Sequence, residues 1–368
     1  MTDAPTTSLP DSHPLATGVT SGSPLVRALR GDRPETLPVW FMRQAGRSLP
    51  EYRELRVGTA MLDACLDPAM ASEITLQPVR RHGVDAGIFF SDIVVPIKLA
   101  GVDVEIVPGR GPVLASPVRT AADVDALGPL DPAALAPITE AVARTVEQLG
   151  STPLIGFAGA PFTLAAYLVE GGPSKDHIRA RTLMHADPQT WSRLLAWAAD
   201  VSGAFLRAQV LAGASAAQLF DSWVGSLSRA DYVERVAPHS QRALGHVADT
   251  GVPRIHFGVG SGEVLGDMTT FGTDTVGVDA VGVDWRLPLD EAVRRVGPSV
   301  TVQGNIDPAM LAAPWEVLEA HVRDVVRRGG AARAHVVNLG HGVPPETDPE
   351  VLTRVVALLH DLGDGSAA

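Results

Sequence analysis

Cysteine is nearly absent: Cys65 is the single one in 368 residues. One thiol excludes an intrachain disulfide and any zinc cluster built on cysteines. It fits a reducing, cytosolic compartment. No stretch approaches the ~18 uninterrupted apolar residues of a transmembrane helix. Positive charge is in deficit, with 30 Lys and Arg against 42 Asp and Glu, a formal net charge of −12. An acidic chain of this kind is a poor nucleic-acid binder, and an anionic ligand needs a local basic pocket against the overall field. What is present suffices for a full core: 45% of residues are apolar and 20% charged.

Residues 1–23 are rich in Thr, Ser, Pro and Gly and lack a cationic start followed by an apolar block. They read as a disordered tail, and 363–368 as a short flexible one. Between them, short runs of β-formers recur between helical patterns. The strand candidates are Val39–Met42, Ala86–Phe90, Leu154–Phe157, Ala217–Phe220, Arg254–Phe257, Thr275–Val278, Val300–Gln303 and His335–Asn338. Ile138, Val142, Val146 and Leu149 form one helical stripe that Gly150 ends. Asp187-Pro188, Asp307-Pro308 and Asp348-Pro349 are cap-plus-first-turn signals. The glycine- and proline-rich 108–112 segment reads as a hairpin turn inserted in a loop. Strand–helix alternation implies parallel strands joined by helical crossovers. Eight strand candidates with no composition break point to a single (β/α)8 TIM barrel over residues 24–362.

Such a barrel carries its active site where the strands end. There the apolar run Val39-Trp40-Phe41-Met42 stops at Arg43 and Arg47, with Gln44, Ala45 and Gly46 between them. Two readings stand for the arginines by themselves: surface ion pairs, or anchors for a carboxylate or phosphate. Asp92 sits in the apolar stretch Ile88 to Val95, a costly place for a carboxylate unless it is paired or used. It is either a cap or an ion-pair partner of Arg43, or a group that accepts a ligand's N–H donors and stabilises a developing cation. His341 lies between Gly340 and Gly342, in a plain turn or at a ligand site; the segment lacks a P-loop pattern. Tyr167 closes a small-residue run, and Ser222 lacks the elbow of a nucleophilic serine. Asp279 and Asn305 are further strand-end polar groups.

Taken together, these segments resemble the uroporphyrinogen decarboxylase family. Residues 38–47 and Ile155–Gly171 look like two family signatures. Phe90-Ser91-Asp92-Ile93, Gln218 to Ser222, Gln303 to Pro308 and Asn338 to Gly342 match further blocks in the same order, from about residue 24 to the C-terminal helix. Ser48 departs from the family's usual Tyr. The resemblance implies a dimeric (β/α)8 barrel needing no cofactor or metal; the composition adds the expectation of a cytoplasmic protein with neither nucleic acid nor membrane as partner. It implies conversion of the acetate side chains of uroporphyrinogen III to methyls. Arg43, Gln44, Ala45, Gly46, Arg47 and Arg56 would contact the substrate. Asp92 would sit beneath the pyrrole N–H groups as the catalytic residue, with Tyr167, Ser222 and His341 lining the same cleft. Two competitors share parts of this pattern. A corrinoid-type barrel methyltransferase would need zinc held by His and Cys, and Cys65 alone does not supply that set. A tetrapyrrole carrier would keep the arginines but have no need of Asp92.

Overall fold

The structure, a computed structural model, describes residues 9–274 and 277–365. Seven strands form one parallel sheet that curls on itself: β1 (Gly87–Ile88), β4 (Leu154–Gly159), β5 (Ala216–Asp221), β6 (Arg254–Gly258), β7 (Ala280–Gly282), β8 (Thr301–Gln303) and β9 (His335–Val336). Their order in the sheet is their order in the chain. The expected hairpin is present as the antiparallel pair β2 (Val104–Val107) and β3 (Gly111–Leu114), apart from the sheet.

The curl is visible in the interior. Gln303 of β8 donates to Gln218 of β5 at 2.9 Å, although two strands separate them in the sheet. The Trp40 indole donates to Gln303 at 3.1 Å. All three side chains are fully buried. A chain of paired amides here lets the interior exclude water without stranding most of its polar atoms.

The gap between β9 and β1 is bridged by residues 38–40 rather than by the expected strand Val39–Met42. Val39 pairs in parallel with Val337, and Val337 N–H donates to Pro38 C=O at 2.8 Å. On the other side Asp85 N–H donates to Val39 C=O at 2.8 Å, just ahead of β1. Pairing stops there because side chains take the next donors. Phe41 N–H goes to Gln44 Oε1 at 2.9 Å and Met42 N–H to Asn338 Oδ1 at 3.0 Å. Ala86–Phe90 shortens for the same reason: Phe90 N–H donates to the Thr75 hydroxyl.

The strand expected at Thr275–Val278 lies too early in the chain. Thr275 and Val276 lie outside the described residues, and Gly277 and Val278 are not in a strand; β7 begins at Ala280. Residues 275–278 and 280–283 have nearly the same composition, so pattern alone does not choose between them. Asp279 chooses: its carboxylate accepts Arg254 N–H at 2.7 Å and its carbonyl accepts Thr301 N–H at 3.1 Å. That places it at the N-terminal ends of β6 and β8, opposite the ends where the strands lead into the loops expected to carry the site.

The helices follow their sequence signals. Asp187 accepts Thr190 N–H at the start of Pro188–Leu211. This 24-residue helix is apolar and long enough to cross a membrane by length and composition, yet it packs as a core element. Gln209 ties it to β4 by accepting Phe157 N–H at 2.9 Å and donating to Phe157 C=O at 2.8 Å. From residue 9 onward, the segment expected to be a disordered tail is packed in turns. His13 is buried and bonds Val210 C=O at 3.0 Å, and Thr20 bonds Ser215 at 2.8 Å. Both contacts lie at the N-terminal end of the sheet, just ahead of β5. The C-terminal helix Pro349–Gly365 continues past Leu362, so the expected tail begins as helix within the described residues.

Candidate active site

The loop at 41–47 leaves the bridge at Val39 and turns sharply, with Gln44 N–H returning to Phe41 C=O at 3.0 Å. Arg43 holds a φ of 59°, a left-handed conformation that costs a non-glycine residue roughly 1–2 kcal/mol. Gln44 holds it there: the side chain is fully buried, accepts Phe41 N–H and donates to Ala86 C=O at 3.0 Å. Gln44 was expected among the substrate contacts. Its amide is committed to the wall and braces the loop from behind. Ala45 and Gly46 are half-buried beside it, and Arg43 and Arg47 are exposed.

Neither Arg43 nor Arg47 has a carboxylate partner among the described residues. Most other arginines do, which sets these two apart from ordinary surface ion pairs. Arg56 is half-buried instead, donating to Thr59 C=O at 3.1 Å and to Met61 Sδ at 2.9 Å, with its guanidinium 5.6 Å from the Tyr52 ring.

Asp92 follows β1 by four residues and is half-buried. Its Oδ1 accepts Val94 N–H at 3.0 Å, and Oδ2 has no protein donor among the described residues. Burial pushes its pKa above the ordinary carboxylate range, with the Val94 N–H and the Arg43 charge pulling the other way. The same charges reach Tyr167, in the helix Pro161–Glu170. Burial first and Asp92 second push its phenol up to about 12, against Arg43. His341 is held below its ordinary value, first by burial, then by Arg43 and Arg286, with Asp284 opposing. The structure therefore brings Arg43, Asp92, Tyr167 and His341 into one electrostatic neighbourhood. Arg43 also touches the histidine loop directly, since a Cβ on Gly342 would fall 2.5 Å from Arg43 Cδ. Ser222 lies half-buried just after β5, between Asp221 and Trp223.

Pattern reading left several residues out. Trp223 stacks on Tyr167 at 4.0 Å and on His177 at 4.2 Å, giving a three-ring pile beside the site. Its signal lay in plain view, next to Ser222. Asp284, Trp285 and Arg286 occupy the turn just after β7, which a strand at 275–278 does not point to. The arrangement as a whole offers unpaired cations at the rim and one half-buried carboxylate with a free oxygen. That combination suits a polyanion with a cationic or N–H-bearing centre.

The family model for "Uroporphyrinogen decarboxylase (URO-D)" matches residues 20–362. A uroporphyrinogen decarboxylase of Leifsonia xyli subsp. xyli is 68% identical over 375 residues, covering 96% of this chain and 98% of the relative. One from Arthrobacter sp. (strain FB24) is 68% identical over 345 residues, covering 94% and 99%. Among solved structures, a methyltransferase from Methanosarcina mazei superposes with a TM-score of 0.73 at 19% identity, covering 92% of this chain and 97% of that one. A B12-independent methionine synthase from Shewanella sp. W3-18-1 gives 0.55 at 13%, covering 88% and 95%. At such identities the two structures speak for the fold alone.

Proposed function

The chain belongs to the uroporphyrinogen decarboxylase family, and from that premise we propose how its cleft works. It is a carboxy-lyase of heme biosynthesis that converts the acetate side chains of uroporphyrinogen III to methyls, giving coproporphyrinogen III and carbon dioxide. The observation that carries the assignment of roles is the placing of Asp92 among Arg43, Tyr167 and His341.

Arg43 and Arg47 grip substrate carboxylates, because a guanidinium fork holds an oxyanion bidentately and keeps its charge. Arg56, Ala45 and Gly46 shape the same rim. Asp92 sits beneath the pyrrole N–H groups and accepts their hydrogen bonds on Oδ2. A proton added to a pyrrole carbon makes the ring an electron sink. The carbon–carbon bond to the carboxylate then breaks, its electron pair enters the ring and carbon dioxide leaves. Protonation of the exocyclic carbon and loss of the ring proton restore the pyrrole with a methyl. Asp92 must be ionised to stabilise the cationic stages. Tyr167, fixed against Trp223, with Ser222 and His341, lines the wall. His341 is held toward its neutral form, so it can donate or accept a hydrogen bond without adding charge.

We read residues 38–42 as the eighth stave of a closed (β/α)8 barrel within one domain, 24–362; the hydrogen bonds to Val337 and Asp85 on either side favour this. We place the enzyme in the cytoplasm as a homodimer acting on a free small molecule, with neither nucleic acid nor membrane as partner; the acidic charge and single cysteine favour this. Among the described residues no group of three or more His, Cys, Asp or Glu is placed to hold a metal ion. Anaerobic incubation with uroporphyrinogen III, then chromatography of the oxidised porphyrins, tests the reading. Stepwise loss of carboxyls down to coproporphyrin is expected; binding with no loss would leave a carrier.

A further inference from the structure

The turn after β7 is built with more care than a surface loop needs. The Asp284 side chain is 4% exposed. One oxygen accepts Gly260 N–H at 2.6 Å and the guanidinium of Arg286; the other accepts Arg286 N–H at 3.1 Å. Its backbone carbonyl accepts Asn305 Nδ2 at 2.8 Å. The Arg286 guanidinium lies over the Trp285 ring at 4.0 Å, within cation–π range. Arg286 is thereby fixed on two sides, yet its side chain stays 53% exposed. Its Nε and Nη2 have no protein acceptor among the described residues.

This turn faces the site already described. The Trp285 ring meets the His341 imidazole edge-on at 6.2 Å. Gly340 permits the approach, since a Cβ there would fall 2.3 Å from Trp285 N. Gly342, at the other end of the same loop, lies against Arg43. The 340–342 loop is thus held between Arg43 and the Trp285-Arg286 turn, and both cations bear on His341. An ordinary surface ion pair would account for the Arg286–Asp284 contact alone. It would not account for a buried carboxylate already served by two backbone donors, nor for a guanidinium stacked and left with free N–H groups.

We propose that Arg286, set by Asp284 and stacked on Trp285, is a further carboxylate anchor for the porphyrinogen, across the histidine loop from Arg43. It rests on the decarboxylase reading of this cleft. A macrocycle with carboxylates around its whole rim needs cations on more than one side, and Arg286 supplies one that the 41–56 region does not. Asp284 is a positioning residue in this scheme.

The test uses the full chain with Arg286→Gln and Arg286→Lys, steady-state kinetics on uroporphyrinogen III, and thermal unfolding. Arg286→Gln is expected to raise KM about tenfold, the size of one charge-assisted hydrogen bond, with a smaller change in kcat and little change in Tm. Arg286→Lys is expected to recover part of the KM, because it restores the charge without the fork. An unchanged KM in Arg286→Gln, beside an active unsubstituted enzyme, would overturn the anchor and leave the decarboxylase reading standing. A joint fall of kcat and Tm that Lys does not relieve would make Arg286 a structural strut. No turnover by the unsubstituted enzyme would sink the underlying reading itself.

Discussion

At the residue scale, the proposed mechanism places the chemistry on Asp92. Its pKa is raised on folding, chiefly by burial, so the folded protein bears a cost for keeping it ionised. That cost is absent below the unfolded-state pKa, grows as pH rises toward the folded-state pKa, and is complete above it. Asp92→Asn removes the cost while keeping the shape. At neutral pH its Tm is expected to equal or exceed that of the parent, by on the order of a few degrees. The same shift sets the pH dependence of catalysis. If Asp92 acts as proposed, activity requires its ionised form and is expected to fall as pH drops through a value above the ordinary carboxylate range. A kcat/KM profile whose acid limb sits at the usual Asp value, or a clearly lower Tm in Asp92→Asn, would contradict this picture. Arg43, Arg47, Asp92 and His341 were legible in the sequence because each breaks an apolar or glycine-rich run. That the Gln44 amide bonds to Phe41 and Ala86 was not legible, because nothing in one dimension shows it turned toward the wall.

At the scale of elements, the histidine loop is set by what its glycines lack. A Cβ on Gly340 would strike the Trp285 backbone at 2.3 Å, where nothing flexible can yield. A Cβ on Gly342 would strike the Arg43 side chain at 2.5 Å, which can swing away. The two alanine variants should therefore differ. Gly340→Ala is expected to lose roughly 1–3 kcal/mol of stability. Gly342→Ala is expected to keep its Tm and raise KM severalfold by displacing Arg43. Unfolding curves with steady-state kinetics separate the two, and equal behaviour would argue against the loop's sandwiched placement. Strand β7 shows where element-level reading fails. Two adjacent Val-Gly-Val stretches carry the same β signal, and only Asp279's bonds to Arg254 and Thr301 fix which one enters the sheet. The five-residue shift moved Asp279 out of the site and hid Asp284 and Arg286.

At the scale of the whole molecule, the alternation of strand and helix was readable, and the way residues 38–42 join the curled sheet was not. Strand formers announce themselves by type, but residues 38–40 bridge β9 and β1 with only a few backbone hydrogen bonds, and the side-chain amides of Gln44 and Asn338, which carry no periodicity, take the next donors. The packed segment from residue 9 was equally hidden, since its Ser, Thr, Pro and Gly composition matches that of a free tail. Charge is the other global feature. A chain of net charge −12 presents arginines without carboxylate partners at one mouth, so the local field there opposes the overall one. The central claim is that these cations hold a polycarboxylate while Asp92 drives its loss of carbon dioxide. Its most direct test measures carbon dioxide release and substrate binding in parallel, anaerobically, for the unsubstituted enzyme and Asp92→Asn. The expected result is release from all the acetates by the former, and near-complete loss of release with binding retained in the latter. Near-normal release by Asp92→Asn, or none by the unsubstituted enzyme, would contradict it.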